Sequence, residues 1–233
     1  MPVDALSEVL RAVHLGGSMF FRVRLHPPYA VTALGIGDLI EQYAPGVQYL
    51  LPFHLITRGP IWFDIEGVSD PLRLDDGDVI VLPHGTVHSL TDRPGSAPVP
   101  VTELHHAIAG DPPTLDWGGH GEPAEALCGF FHCSGRLFNP LLSALPEVVV
   151  IRQDPERSPW LTATLQRAWD ETRHARAGGS AMVGRLTELL FLEVVQRYLE
   201  DGDSTGWLQA LNDPVVSVAL ARLHTEPERR WTL

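Results

Sequence analysis

The stretch GDVIVLPHGTVH, residues 77–88, decides the fold. Gly77 closes an Asp-Asp-Gly turn, the apolar run 79–82 has the composition of a strand, and Pro83 and Gly85 bend the chain so that His88 enters on a return strand. Just upstream, IWFDIEG alternates Ile61, Phe63 and Ile65 with Trp62, Asp64 and Glu66 before Gly67. That period of two belongs to a half-buried strand. Further short apolar runs at 19–23, 49–56, 126–131 and 148–151 lie among the glycines and prolines that crowd residues 18–151. Many short strands without helical crossovers predict an antiparallel sandwich or barrel.

After Arg152 the texture changes. Ser158 and Pro159 suit the start of a helix running to about residue 176, Gly178 and Gly179 end it, and a second amphipathic helix over 181–199 follows after a short loop, so the two should pack antiparallel. Their combined apolar surface has two readings: a partner subunit covers it, or the strands alone do. Residues 202–206 are small and polar, as in a linker, and Asp213-Pro214 opens a third helix over 215–224. The divisions expected are 1–152 for the β-rich part with an N-terminal helix, 153–201 for the helical segment and 202–233 for the linker and last helix.

The whole chain has 233 residues, 44% of them apolar and 20% charged, within the ordinary range for a folded domain. All 17 basic residues are arginine, against 29 acidic ones, for a formal charge of −12. Such a balance repels phosphate backbones and speaks against nucleic-acid binding by these residues themselves. No apolar run approaches the ~20 residues of a membrane span, and the acid-bearing N-terminus does not read as a signal peptide. Two cysteines, Cys128 and Cys133, are too few for a secreted disulfide framework, so a cytoplasmic location is expected.

Residues 77–88 fit G-x5-P-x-G-x2-H, which resembles the second conserved motif of the cupin superfamily. In metal-binding cupins the histidine at the place of His88 is a ligand; the asparagine that usually follows is Asp92 here. The first cupin motif, two histidines at spacing two with a glutamate, is missing. Only His54 stands there, in LLPFHLITRG, and counted back from Gly59 it has the parity of the glutamate, which points it into the same cavity as His88. In EALCGFFHCSG a strand would project Cys128, Phe130 and His132 to one side and Gly129, Phe131 and Cys133 to the other. His54, His88, Cys128 and His132 are thus the candidate metal ligands, a nitrogen and sulfur set suited to zinc or another divalent transition metal. The same residues also admit purely structural roles, a buried cysteine acting as a small hydrophobe and a buried histidine satisfying a hydrogen bond. Opposite strand faces disfavour Cys128 and Cys133 as a redox pair. His105, His106 and His120 fall in the Pro- and Gly-rich stretch 92–124, expected to be a solvent-exposed loop or lid, and His84 is expected to point outward. Hydrolase, nucleotide-binding and metalloprotease motifs are absent.

Taken in order, DALSEVLRAVHLGGSMFFRV, FHLITRGPIWFDIEG, LDDGDVIVLPHGTVHSLTD, LCGFFHCSG, FNPLLSALPEVVVIR and DPVVSVALARLHTEPERRWTL resemble AraC-type transcription regulators with an N-terminal cupin domain. The resemblance implies a mainly β fold with helices: a cupin-like β-barrel (jelly roll) followed by an antiparallel helical pair that serves homodimerisation through residues 159–199. It also implies that residues 214–233 start the helix-turn-helix region, that the DNA reader lies beyond Leu233, and that this chain alone binds no operator. The function implied is ligand or metal sensing, with a small-molecule effector that the sequence does not name. The alternative is a metal-dependent cupin enzyme of dioxygenase or isomerase type, against which the missing first motif stands.

Overall fold

The structure is a computed structural model. It describes residues 15–16, 20–43, 45–47, 49–110, 113–133, 140–154, 156, 159–174, 177–201, 206–225 and 228–229. The expected N-terminal helix, the cap at Ser158, most of the linker and the final segment from residue 230 lie outside them.

In chain order the first elements are β1 (Leu15–Gly16), β2 (Phe20–His26), β3 (Ala30–Thr32), α1 (Ile36–Tyr43), β4 (Tyr49–Arg58), β5 (Ile61–Ile65), β6 (Leu72–Leu74), β7 (Val79–Val81) and β8 (His88–Thr91). Then come β9 (Val99–Pro100), a 3₁₀ turn (Val101–Ala107), β10 (Ile108–Ala109), β11 (Thr114–Gly118), β12 (Ala124–Cys133), α2 (Pro140–Ala144) and β13 (Val149–Ile151). Four helices follow: α3 (Pro159–His174), α4 (Gly179–Glu200), α5 (Gly206–Asn212) and α6 (Pro214–Thr225).

The strands form two sheets. One runs β10-β11-β2-β12-β4-β7-β13 with β1 paired to β12, and the other runs β6-β5-β8-β3-β9. Among the described residues no ladder joins them, so the arrangement is a two-sheet sandwich, one of the two forms the strand pattern predicts, and not the closed barrel that the resemblance implies. The reason lies where the chain changes sheets. It crosses from β2 to β3 at Pro27-Pro28, from β4 to β5 at Gly59-Pro60, and from β7 to β8 through Pro83 and Gly85. Proline has no N–H for a ladder, so pairing stops at those corners.

Both ends of the 77–88 motif need glycine. Gly77 has φ +84° and Gly85 has φ +67°, and a Cβ would meet the side chain of Gln153 at the first and of Ile36 at the second. At the second, α1 closes on the bend: Leu39 packs with Leu50 and Phe130, while Ile36 and Leu34 flank them. Asp78 then pins the turn, accepting hydrogen bonds from the Asp75 and Gln153 backbone N–H groups and from Arg152 Nη1 at 2.7–3.0 Å.

Strand alternation sorts the core into two layers. Phe53 and Leu55 of β4 and Leu127 and Phe131 of β12 face the helices, where they meet Leu161 of α3 and Leu190, Phe191, Val194 and Val195 of α4. Ring centroids run Phe53 to Phe131 at 4.7 Å and Phe131 to Phe191 at 5.5 Å. The alternate residues of the same strands, with Leu25, Val31, Ile61, Phe63 and Leu90, fill the layer between the sheets. Helices α3 and α4 lie against each other. Residues 92–124 are not the open loop expected: β9 extends one sheet beside β3, and β10 and β11 extend the other beside β2. No helix among the described residues is long and apolar enough to cross a membrane.

Candidate functional site

The inner layer does not fill completely. Between the sheets lies a cavity of about 130 Å³, walled by Phe21, Val23 and Leu25 of β2, Val31 of β3, Leu90 of β8, Leu115 of β11 and Phe130 of β12. The β2 sequence FFRVRLH explains one wall. Phe21, Val23 and Leu25 point in, while Arg22 and Arg24 take the opposite face and pair with Glu125 and Asp116. The stretch expected as a lid contributes Val101, Ile108 and Pro113 to the rim.

One part of the wall is polar. His54, in the middle of β4, sits directly across from Cys128 on β12. His88 opens β8 in the facing sheet, opposite Ile65. The side chains make a line: Cys128 Sγ to His54 Nδ1 at 2.7 Å, His54 Nε2 to His88 Nε2 at 2.8 Å, and His88 Nδ1 to the carbonyl oxygen of Thr86 at 2.9 Å.

Counting protons along that line fixes every donor. The Thr86 carbonyl only accepts, so His88 Nδ1 donates. A neutral His88 then accepts at Nε2, which makes His54 Nε2 the donor. A neutral His54 in turn accepts at Nδ1, and Cys128 donates as a thiol. All three side chains are satisfied while uncharged.

Burial favours that state. It drives His54 well below its ordinary value, with His88 beside it adding to the effect. It also lowers His88, against a smaller upward pull from the Thr86 carbonyl. The Cys128 thiol is pushed far up by the same desolvation.

The structure thus brings together three of the four residues singled out as metal ligands. His132 is not among them. It stands four residues from Cys128 on β12, about 13 Å away at ~3.3 Å per residue. Its Nδ1 is buried without a hydrogen-bond partner among the described residues, and burial lowers its pKa. Nor do the other three surround one point. Cys128 and His88 bond to the two different ring nitrogens of His54, which face away from each other, so a single ion cannot take all three. Among the described residues no group of three or more His, Cys, Asp or Glu side chains is disposed to hold a metal ion. The donor set therefore does not fit tetrahedral zinc.

Four other histidines, expected to face solvent, do so. His105, His106 and His120 are exposed. His84 is turned outward and bonds through Nε2 to the Leu145 carbonyl at 2.9 Å. The side chain of Cys133 lies outside the described residues. What sequence reasoning missed is the terminus of the line, the Thr86 backbone carbonyl, because no side-chain pattern marks it.

The chain belongs to the cupin family: the family profile described as Cupin matches residues 4–200. Among its relatives are transcription regulators, some described as AraC-like and others as HTH-type. An AraC-like transcription regulator of Streptomyces lividans is 27% identical over 186 residues, covering 79% of this chain, and the chain spans 60% of that relative's length. The HTH-type transcriptional regulator AlkR of Acinetobacter baylyi is 25% identical over 236 residues, covering 99% of this chain and 73% of that protein. Among solved structures, unsaturated fatty acid bound ToxT from Vibrio cholerae strain SCE256 is a distant likeness, with 7% identity, a TM-score of 0.41, and coverage of 92% of this chain and 65% of that one. At that distance it carries neither a ligand nor an orientation over to this chain.

Proposed function

We propose that this chain is the ligand-sensing regulatory part of a cytoplasmic transcription regulator of AraC type, and not an enzyme. The observation that carries the reading is the cavity between the sheets, lined mainly by apolar side chains, whose histidine and cysteine wall is already neutral and hydrogen-bonded to itself. Such a site is built to hold a small molecule. It offers no open metal set, no activated nucleophile and no charged acid–base pair.

A bound molecule would press on strands that are one residue thick. His54 and Cys128 line the cavity, and their neighbours Phe53 and Leu127 pack on the helices. Differential affinity for two settings of those strands would then bias α3 and α4. We read α3 and α4 as an antiparallel pair that joins two copies of the chain. Trp160, Met182 and Leu189 support this, being exposed on helices whose other faces are buried. DNA reading would belong to the region that begins at α6, where Val215, Val218 and Leu223 are exposed.

The test is thermal unfolding and sedimentation of the chain against a chemically diverse small-molecule library. A true effector raises Tm in a concentration-dependent way, shifts self-association, and loses both effects when Leu90→Trp fills the cavity. Turnover of a compound to a product, or hits that all survive the filled cavity, would overturn the reading.

A further inference from the structure

The sensor reading leaves the ligand unnamed, and the chemistry of the cavity wall narrows it. We propose that the cavity takes a small, uncharged, apolar molecule, of the class of a single aromatic ring or an equally short hydrocarbon. The inference rests on the sensor reading and adds the chemical class of the effector.

Two observations carry it. First, the polar groups on the wall are spent. Thr86 accepts from His88, His88 from His54, and His54 from Cys128, so every N–H, S–H and imidazole lone pair in the line is used. A ligand hydroxyl, amine or carboxylate would leave water and find only the weakly accepting sulfur of Cys128. To recruit His54 or His88 it would have to break a buried bond and leave another group unpaired. Arg22 borders the cavity, but its guanidinium is already paired with Glu125, and Arg24 is held by Asp116 and Glu125, so neither offers a ligand an unpaired charge.

Second, the size fits. The cavity measures about 130 Å³, close to the ~150 Å³ of a dry apolar protein cavity that accepts benzene. Val31, Leu90, Leu115 and Phe130 supply walls on several sides, so a ring would exchange water contact for close packing against them.

Toluene and phenol differ by a methyl group against a hydroxyl in the same shape, and benzoate adds a charge. Each is titrated into the chain by calorimetry, with methyl-detected NMR reporting contacts to Val31, Leu90 and Leu115. Toluene is expected to saturate one site with intermolecular NOEs to those methyl groups. Phenol should bind there about tenfold more weakly or worse, and benzoate not at all. Leu90→Trp should abolish the toluene NOEs. Leu115→Phe is the milder filling variant, read by its weakened toluene affinity if Leu90→Trp does not fold. Phenol or benzoate binding at the same methyl groups as tightly as toluene overturns the apolar class and leaves the sensor reading standing. Toluene contacts confined to other surfaces overturn the inference in the same way. If none of the three, and no member of a diverse library, reaches those methyl groups, the sensor reading falls with it.

Discussion

His54 and His88 come from facing sheets and meet edge to face, with ring centroids 4.9 Å apart and Nε2 atoms at 2.8 Å. A single proton lies between those nitrogens, so charging His88 would set a second proton in that gap, and charging His54 would set one against the Cys128 thiol. Cys128 and the Thr86 carbonyl close the line at its two ends. On the outer side of His88, Asp64 and Glu66 border a surface hollow.

This pairing makes stability depend on pH in a stated direction. Burial holds both imidazoles below their ordinary value of 6.5, so below that pH the unfolded chain binds more protons than the folded one. Stability is therefore full above about pH 6.5 and falls as the pH drops beneath it. Urea midpoints at pH 7.5 and 5.5 should show the loss. The double variant His54→Leu/His88→Leu should lose most of that difference, and an unchanged difference would contradict a neutral pair.

Cys128 should behave as a hydrogen-bond donor and not as a nucleophile. It is 3% exposed, and burial pushes its thiol far above the usual range, whereas reactive cysteines need thiolate and access. In a Cys133→Ser background, alkylation by iodoacetamide should track global unfolding. Cys128→Ser keeps a donor for His54 Nδ1 and should be tolerated. Cys128→Ala strands that nitrogen and should cost about 1–3 kcal/mol in chemical denaturation.

Much of this was legible in the sequence, for identifiable reasons. Strand period two placed Ile61–Ile65 at its observed bounds. It also put Cys128 and Phe130 on one face with Phe131 on the other, because residue parity is all that such a statement needs. Parity likewise turned His54 toward the cavity into which the 77–88 motif sends His88. It failed for His132, since sharing a face says nothing of distance along a strand. It could not show that Cys128 and His88 reach different nitrogens of one ring, which depends on how two sheets face each other. The stretch 92–124 misled because prolines and glycines such as Pro100, Gly110 and Pro113 lie in or beside strands too short to show alternation; β9 and β10 have two residues each. The short helix α1 was missed although Ile36, Leu39, Ile40 and Tyr43 stand at i, i+3, i+4 and i+7, because two turns set among glycines and prolines read as one more turn-rich stretch.

The aromatic contact between sheet and helix should be a main support of the fold. Phe191 of α4 is 1% exposed and meets Phe131 at 5.5 Å, T-shaped, while Phe131 stacks on Phe53 at 4.7 Å. Truncating a buried phenylalanine removes its transfer energy and leaves a cavity. Phe191→Ala should cost about 3–5 kcal/mol by chemical denaturation. Phe191→Leu should recover more than half of it. If the helices move with cavity occupancy, Phe191→Leu should also reduce any effector-driven change in self-association more than it reduces effector binding.

Zinc provides the sharpest check on the three-residue line. Zinc-to-nitrogen bonds of about 2.0–2.1 Å set two tetrahedral ligand nitrogens ~3.3 Å apart, whereas the Nε2 atoms stand at 2.8 Å with a proton between them. An ion there would have to displace that proton and spread the rings, and would still have only two protein ligands, because Cys128 bonds to the far nitrogen of His54. Elemental analysis of the purified chain should therefore find well under one equivalent of zinc associated with these residues, and added zinc should leave Tm unchanged in wild type and in His88→Ala alike. One full equivalent that disappears in both His54→Ala and His88→Ala would mean that the rings rotate to make a metal centre, and the neutral hydrogen-bonded line would have to be given up.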